Sequence, residues 1–108
     1  MTGSQLIDIT VDEVATLLAE NAVLVDVREP HEQARERIAG AIALPLSQLA
    51  RGGPAGLPAD RTAVFVCASG TRTKVNSAAL AMLAGGRGYN MVGGIIAWKR
   101  AGLPTERG

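Results

Sequence analysis

The sequence predicts an α/β fold: an open, mostly parallel sheet of about five short strands with helices on both faces. Three observations point there. Short apolar runs of strand length alternate along the chain with segments of helical periodicity. One of those runs, Ala22-Val-Leu-Val-Asp-Val27, is apolar on successive residues rather than alternate ones, as in a strand covered on both sides. The runs end in segments bearing Gly, Pro or Asp, where an open parallel sheet keeps its ligands.

The elements follow in order. Leu6-Ile-Asp-Ile9 alternates and reads as an edge strand. Thr10-Val-Asp-Glu13 has the capping-box spacing, so a helix is expected from Val11 to Glu20, with Val11, Val14, Leu17 and Leu18 on its buried face and Asn21 as its stop. The strand Ala22–Val27 follows, and Arg28-Glu-Pro30 breaks it. Pro30 suits the first position of a short helix through Arg35, because its missing N–H would be unpaired there anyway. A strand is expected over Ala41–Leu44, ended by Pro45, with Ser47 capping a brief turn through Ala50. Arg51–Pro58, with three Gly and two Pro in eight residues, reads as an intradomain loop. The strand Thr62–Cys67 leads through a Gly-containing turn into a helix from Thr71 to Ala84, whose buried face is expected at Val75, Ala78, Ala79, Met82 and Leu83 and whose cap is expected at Gly85-Gly86. A last strand, Tyr89–Val92, turns at Gly93-Gly94 into a helix over Ile95–Ala101, stopped by Gly102 and Pro104. The whole chain, 1–108, is expected to be one domain with a core of about 6–104.

Composition narrows the function. The 108 residues are 47% hydrophobic, enough for a core without staples, and the single cysteine rules out an intramolecular disulfide. Eleven Lys and Arg against ten Asp and Glu give a net charge of +1 with no long run of one sign, which signals neither a nucleic acid nor a membrane as partner. Without an apolar stretch of spanning length or a leader at Met1–Gln5, the expected location is cytoplasmic. No metal or cofactor site is expected.

Cys67 sits where strand becomes turn. Free cysteine has a pKa of about 8.5, and helix N-termini and cations can bring it into the range of roughly 3.5 to 7.5. The turn Ala68-Ser-Gly-Thr71 can direct backbone N–H groups at the sulfur, with a helix end behind it and Arg72 close by. A buried cysteine is equally common as a small core hydrophobe, and position alone leaves the two readings even.

Cys67-Ala-Ser-Gly70-Thr-Arg72-Thr resembles the active-site loop of rhodanese domains, Cys-x-x-Gly-x-Arg followed by Ser or Thr. Three further blocks match the same family in the same order: Val25-Asp-Val-Arg-Glu-Pro30, Ile38-Ala-Gly-Ala-Ile-Ala-Leu-Pro-Leu46, and Val92-Gly-Gly-Ile-Ile-Ala-Trp98 through Pro104. The resemblance implies a rhodanese-like sulfurtransferase that takes a sulfane sulfur from a donor such as thiosulfate, holds it as a persulfide, and passes it to cyanide, a thiol or a protein acceptor. It makes Cys67 the nucleophile and the backbone of Ala68, Ser69, Gly70, Thr71 and Arg72 the cradle for the persulfide. Asp26 is expected to brace that cradle through Arg72 or the loop amides, and Arg28 to form a structural or surface ion pair.

Two departures bear on the substrate. The family commonly reads Gly-His-Ile-Pro-Gly-Ala where this chain has Glu36-Arg37-Ile38-Ala39-Gly40-Ala41, and Ala68 replaces a frequent cation, which weakens the case for an oxyanion donor. The alternatives are a Cdc25-like phosphatase or arsenate reductase, and a non-catalytic rhodanese-like binding module. The first normally has one more residue between Cys and Arg than the four found here, and the second often lacks the cysteine. A thiol-disulfide oxidoreductase lacks a resolving cysteine. His31 reads as a solvated side chain and Trp98 as a packing residue.

Overall fold

The computed structural model of the protein describes residues 5–50, 57, 60–84 and 88–107. Among them, five strands, β1 (Ile7–Ile9), β2 (Val23–Asp26), β3 (Ile42–Ala43), β4 (Ala63–Val66) and β5 (Gly88–Met91), alternate with helices α1 (Val11–Ala19), α2 (Pro30–Arg35), α3 (Leu46–Ala50), α4 (Thr71–Val75), α5 (Ser77–Leu83) and α6 (Gly94–Arg100). The strands form one sheet in the order β1-β5-β4-β2-β3, and every pairing is parallel. The α/β class is therefore as the sequence predicts, and β2 lies directly beside the strand that leads to Cys67.

Side chains of β4 alternate between two apolar layers. Val64 and Val66 face the layer built with Val11 and Val14 of α1 and Ile95 and Trp98 of α6. Ala63, Phe65 and Cys67 face the layer built with Leu80 of α5, with Leu46 and Leu49 of α3 packed against it. Both faces being covered explains why β2 and β4 have no polar face to show, and all four residues of each are buried. Trp98 packs as expected, and its indole N–H donates to Pro104 O at 2.8 Å. His31 is exposed.

Local signals decide most boundaries. At α1 the capping box is complete: Glu13 N donates to Thr10 Oγ1 at 3.3 Å and Thr10 N to Glu13 Oε1 at 2.9 Å. Asn21 adopts φ 79° just after the helix, the left-handed stop that Asn tolerates. Among the described residues no helix is long and apolar enough to cross a membrane.

Three expectations need correction. The helix expected over Thr71–Ala84 is interrupted at Asn76, whose side-chain Nδ2 donates to Arg72 O at 2.8 Å and competes with the backbone for that carbonyl. Its buried face is also different: Thr73, Ser77, Leu80 and Ala81 point inward, while Val75 and Met82 are 79% and 78% exposed. The two inward hydroxyls are tolerated because each has a partner; Ser77 Oγ, for instance, accepts from Leu6 N at 2.7 Å. Ser47 does not cap a turn; it lies inside α3, and its Oγ donates to Glu29 Oε1. The expected cap at Gly85-Gly86, and the loop Arg51–Pro58 apart from Leu57, lie outside the described residues.

Candidate active site at the carboxyl edge of the sheet

Cys67 follows β4 immediately, so the central strands deliver it to the edge of the sheet where the loop begins. The loop backbone is held from the far side by α6. Ile95 N donates to Cys67 O at 2.9 Å and Ile96 N to Ala68 O at 3.2 Å, so the first turn of α6 finds acceptors for its free N–H groups in the loop itself. That approach requires glycine at position 94, where φ is +60° and a Cβ would overlap the carbonyl oxygens of both Cys67 and Ala68. Gly70, at φ +94°, supplies the reversal that turns the loop back over the sulfur.

The cysteine is 1% exposed. Gly70 N donates to its Sγ at 3.0 Å, and Thr73 Oγ1 lies 3.7 Å from it. Burial pushes the thiol pKa up, but the Thr73 amide and hydroxyl and the Gly70 and Ser69 amides together outweigh it, and the net shift is downward from the ordinary value of 9.0. The donors that favour the thiolate are those of the tight loop and its exit. With α4 only five residues long, a helix macrodipole is not what the site relies on. Ser69 Oγ and Thr71 Oγ1, 3.3 Å apart, are exposed at the rim. Beside them opens a cavity of about 280 Å³ that also touches Asp8, Lys74 and Asn90.

Arg72 does not meet Asp26. Its Nη1 and Nη2 donate to Glu32 Oε1 and Oε2, both at 2.7 Å, a bidentate pair between α4 and α2. The Arg72 hydrogen bonds hold the Glu32 carboxyl at a pKa of about 2, against burial, with the Glu29 amide adding to the same effect. Glu32 in turn raises the pKa of Arg72. Asp26 instead binds Arg28: Arg28 N and Nε donate to Asp26 Oδ1 at 3.0 and 3.1 Å, and Nη2 to Oδ2 at 2.9 Å. The expectation that Asp26 braces the cradle is thus corrected, because a carboxylate two residues ahead of an arginine at a strand end can close on it locally at less conformational cost. Arg28 is no surface residue; at 5% exposed it also donates to Glu36 O at 2.6 Å and ties the end of α2 to the sheet. Arg37, where the family commonly has His, pairs with Glu106 at 3.1 Å and takes no part in the loop.

The structure therefore brings together Cys67, Ala68, Ser69, Gly70, Thr71 and Arg72, and leaves Asp26 and Arg28 as a buried pair at the end of the neighbouring strand. Sequence reasoning missed Glu32, Thr73 as a direct neighbour of sulfur, and the clasp by α6. Glu32 lies two residues after a helix-starting Pro on a short polar helix, and no local spacing marks its partner 40 residues away. Among the described residues no group of three or more His, Cys, Asp or Glu side chains is placed to hold a metal ion.

A buried cysteine with a lowered pKa, in a glycine-turned loop at the carboxyl edge of a parallel sheet, defines the class: an open parallel α/β protein with a cysteine-bearing loop. The chain belongs to the rhodanese-like domain family, whose model matches residues 10–101. It is 42% identical over 85 residues to a sulfurtransferase of Allochromatium vinosum, an alignment covering 79% of this chain and 78% of that protein. The crystal structure of a rhodanese-related protein from Thermoplasma volcanium superposes with a TM-score of 0.78 at 26% identity, covering 94% of this chain and 99% of the other. Thiosulfate sulfurtransferase from Pseudomonas aeruginosa gives the same TM-score at 28% identity over 99% of this chain, which spans 20% of that protein.

Proposed function

We propose that the protein is a sulfurtransferase in which Cys67 carries a sulfane sulfur as a persulfide. The observation that carries the reading is the sulfur's setting: Cys67 Sγ accepts the Gly70 N–H at 3.0 Å in a loop whose hydrogen bonds lower its pKa despite burial. Such a thiol supplies its own nucleophile without a general base. The kinship with proteins named sulfurtransferase and thiosulfate sulfurtransferase supports the same class.

The chemistry is two displacements at sulfur. The Cys67 thiolate attacks the outer sulfur of the donor, an S–S bond forms as the donor's own bond breaks, and the leaving group (sulfite when thiosulfate is the donor) departs with the electron pair. The acceptor, cyanide or a thiolate, then attacks the outer sulfur of the persulfide, takes it, and returns Cys67 as thiolate. No electrons are gained or lost overall, so no redox cofactor is required. The backbone amides of Ala68 through Arg72 are the proposed cradle for the terminal persulfide anion.

The donor class follows from charge. Ala68 offers no cation, and both Nη groups of Arg72 are already bound to Glu32, so an oxyanion donor would gain little paired charge. A persulfide or polysulfide, free or on a protein, is the proposed donor ahead of thiosulfate. A cytoplasmic location, where a lone thiol stays reduced, is part of the same proposal.

The test is to incubate the protein separately with thiosulfate and with a small-molecule persulfide and weigh it. One added sulfur on Cys67 is expected, more completely from the persulfide; cyanide should then release thiocyanate and restore the thiol. Cys67→Ser should show neither step above background. An unmodified thiol after both donors would sink the proposal.

A further inference from the structure

Behind the sulfur lies a chain of polar side chains that the sulfur-transfer chemistry above does not use. Thr73 Oγ1, fully buried, has three acceptors around its single proton: Cys67 Sγ at 3.7 Å, Gly70 O at 2.9 Å, and Asn90 Oδ1. Asn90, 3% exposed in the middle of β5, donates its Nδ2 to Asp8 Oδ1 at 3.0 Å. Asp8 and Asn90 are register partners in adjacent parallel strands, so the sheet itself holds them side by side. The other Asp8 oxygen faces Lys74 Nζ at 3.7 Å, at the mouth of the cavity beside the loop.

The donor and acceptor inventory makes the orientation of this chain deducible. A carboxylate only accepts, so the side of the Asn90 amide that meets Asp8 must be its NH2, and the side that meets Thr73 must be its carbonyl oxygen. That oxygen competes with the sulfur, as Gly70 O also does, for the single Thr73 proton. With the amide reversed, its NH2 would donate to Thr73 Oγ1, and the hydroxyl proton would be shared between Gly70 O and the sulfur alone.

We infer that Asp8 and Asn90 are positioning residues for Cys67: the Asp8 carboxylate fixes which way round the Asn90 amide sits, and so keeps the amide oxygen in competition with the sulfur for the Thr73 proton. The inference rests on Cys67 being the reactive group. In this arrangement the Asn90 oxygen takes part of the hydrogen bonding that the Thr73 hydroxyl can give the sulfur, and Asp8 holds it there. Among the described residues, the other charged groups near the loop are Arg72 of α4 with Glu32 of α2, the Asp26–Arg28 pair at the end of β2, and Lys74 of α4. From α6 the loop meets backbone N–H groups.

The chain's single cysteine lets the ultraviolet absorbance of the thiolate titrate Cys67 alone, on protein first stripped of bound sulfur with cyanide. Asp8→Asn should lower the midpoint, giving about threefold or more extra thiolate at any pH well below the wild-type midpoint. The same substitution made in a Thr73→Val background should shift nothing, since the hydroxyl that relays the effect is gone. An equal drop in both backgrounds would show a bare charge effect through space and overturn the inference, as would an unmoved midpoint in Asp8→Asn alone. Should Thr73→Val not fold, Asn90→Ala serves as the background with the same expectation. Thiocyanate formation is read separately: its absence in the wild-type protein would remove the sulfur-transfer proposal and leave the titration comparison standing.

Discussion

At Glu32 a single carboxylate does two jobs, accepting the Glu29 amide at 3.0 Å and both Nη groups of Arg72. Because its folded pKa is depressed to about 2 from 4.5, the stability it contributes is complete above the ordinary carboxylate range and is lost as pH falls through about 2. Glu32→Gln should therefore cost about 1 kcal/mol at neutral pH, since the pair is partly solvated, and the gap to wild type should close as pH is lowered toward 2. Urea unfolding of both proteins at the two pH values checks this; a gap that stays constant would mean that the ion pair is not its source. The residue scale is also where the sequence was least legible. Cys67 and its loop declare themselves by type and spacing, but the sequence offered Asp26 as the partner of Arg72 and gave no sign of Glu32. The choice is made by three-dimensional proximity between α2 and α4, which no local pattern encodes.

Among elements, α6 shows how a short helix can position chemistry without contributing a reacting side chain. Its first-turn N–H groups are spent on the carbonyls of Cys67 and Ala68, and Gly94 makes the approach possible. Gly94→Ala would place a methyl group against backbone rather than against a movable side chain and would add the left-handed penalty, so a loss of about 2 kcal/mol or more is expected. The Cys67 titration midpoint should rise toward that of an ordinary thiol as the loop amides are displaced. Both are readable by urea unfolding and thiolate absorbance, and a Gly94→Ala variant with unchanged stability and midpoint would rule out the clasp. The Gly-Gly pair was legible as a turn, but its role against a loop distant in sequence was not. Similarly, the caps of α1 were legible because they are local, whereas the buried face of α4 and α5 was misread. Thr73 and Ser77 look polar until their partners on β5, on Leu6 and in the loop are known, and Val75 and Met82 look like core until they are found exposed.

For the molecule as a whole, the order of elements and the parallel sheet followed directly from apolar runs and turn residues, because covering both faces of a sheet leaves its imprint on every central strand. Strand order is a different matter. That β1 sits beside β5, bringing Asp8 to Asn90, depends on connections over the sheet and not on either strand's composition. The alternation along β4 carries a further consequence, which can be put as parity. From Ala63 onward each added residue reverses the layer that a side chain enters, and Cys67 falls with the odd positions on the Leu80 side. Lengthening the approach to Cys67 by one residue, with an alanine inserted after Arg61, leaves the strand free to absorb the change in the preceding loop. The same alanine placed between Val66 and Cys67 sends the sulfur toward the α1 and α6 layer, and thiolate stabilisation should vanish. Measured by the midpoint of Cys67 ionisation, the two insertions should differ although their composition is identical. The Cys67 sulfur is addressed by counting along the strand, so a change of length keeps it in its layer when made ahead of β4, and within the strand only when made in twos.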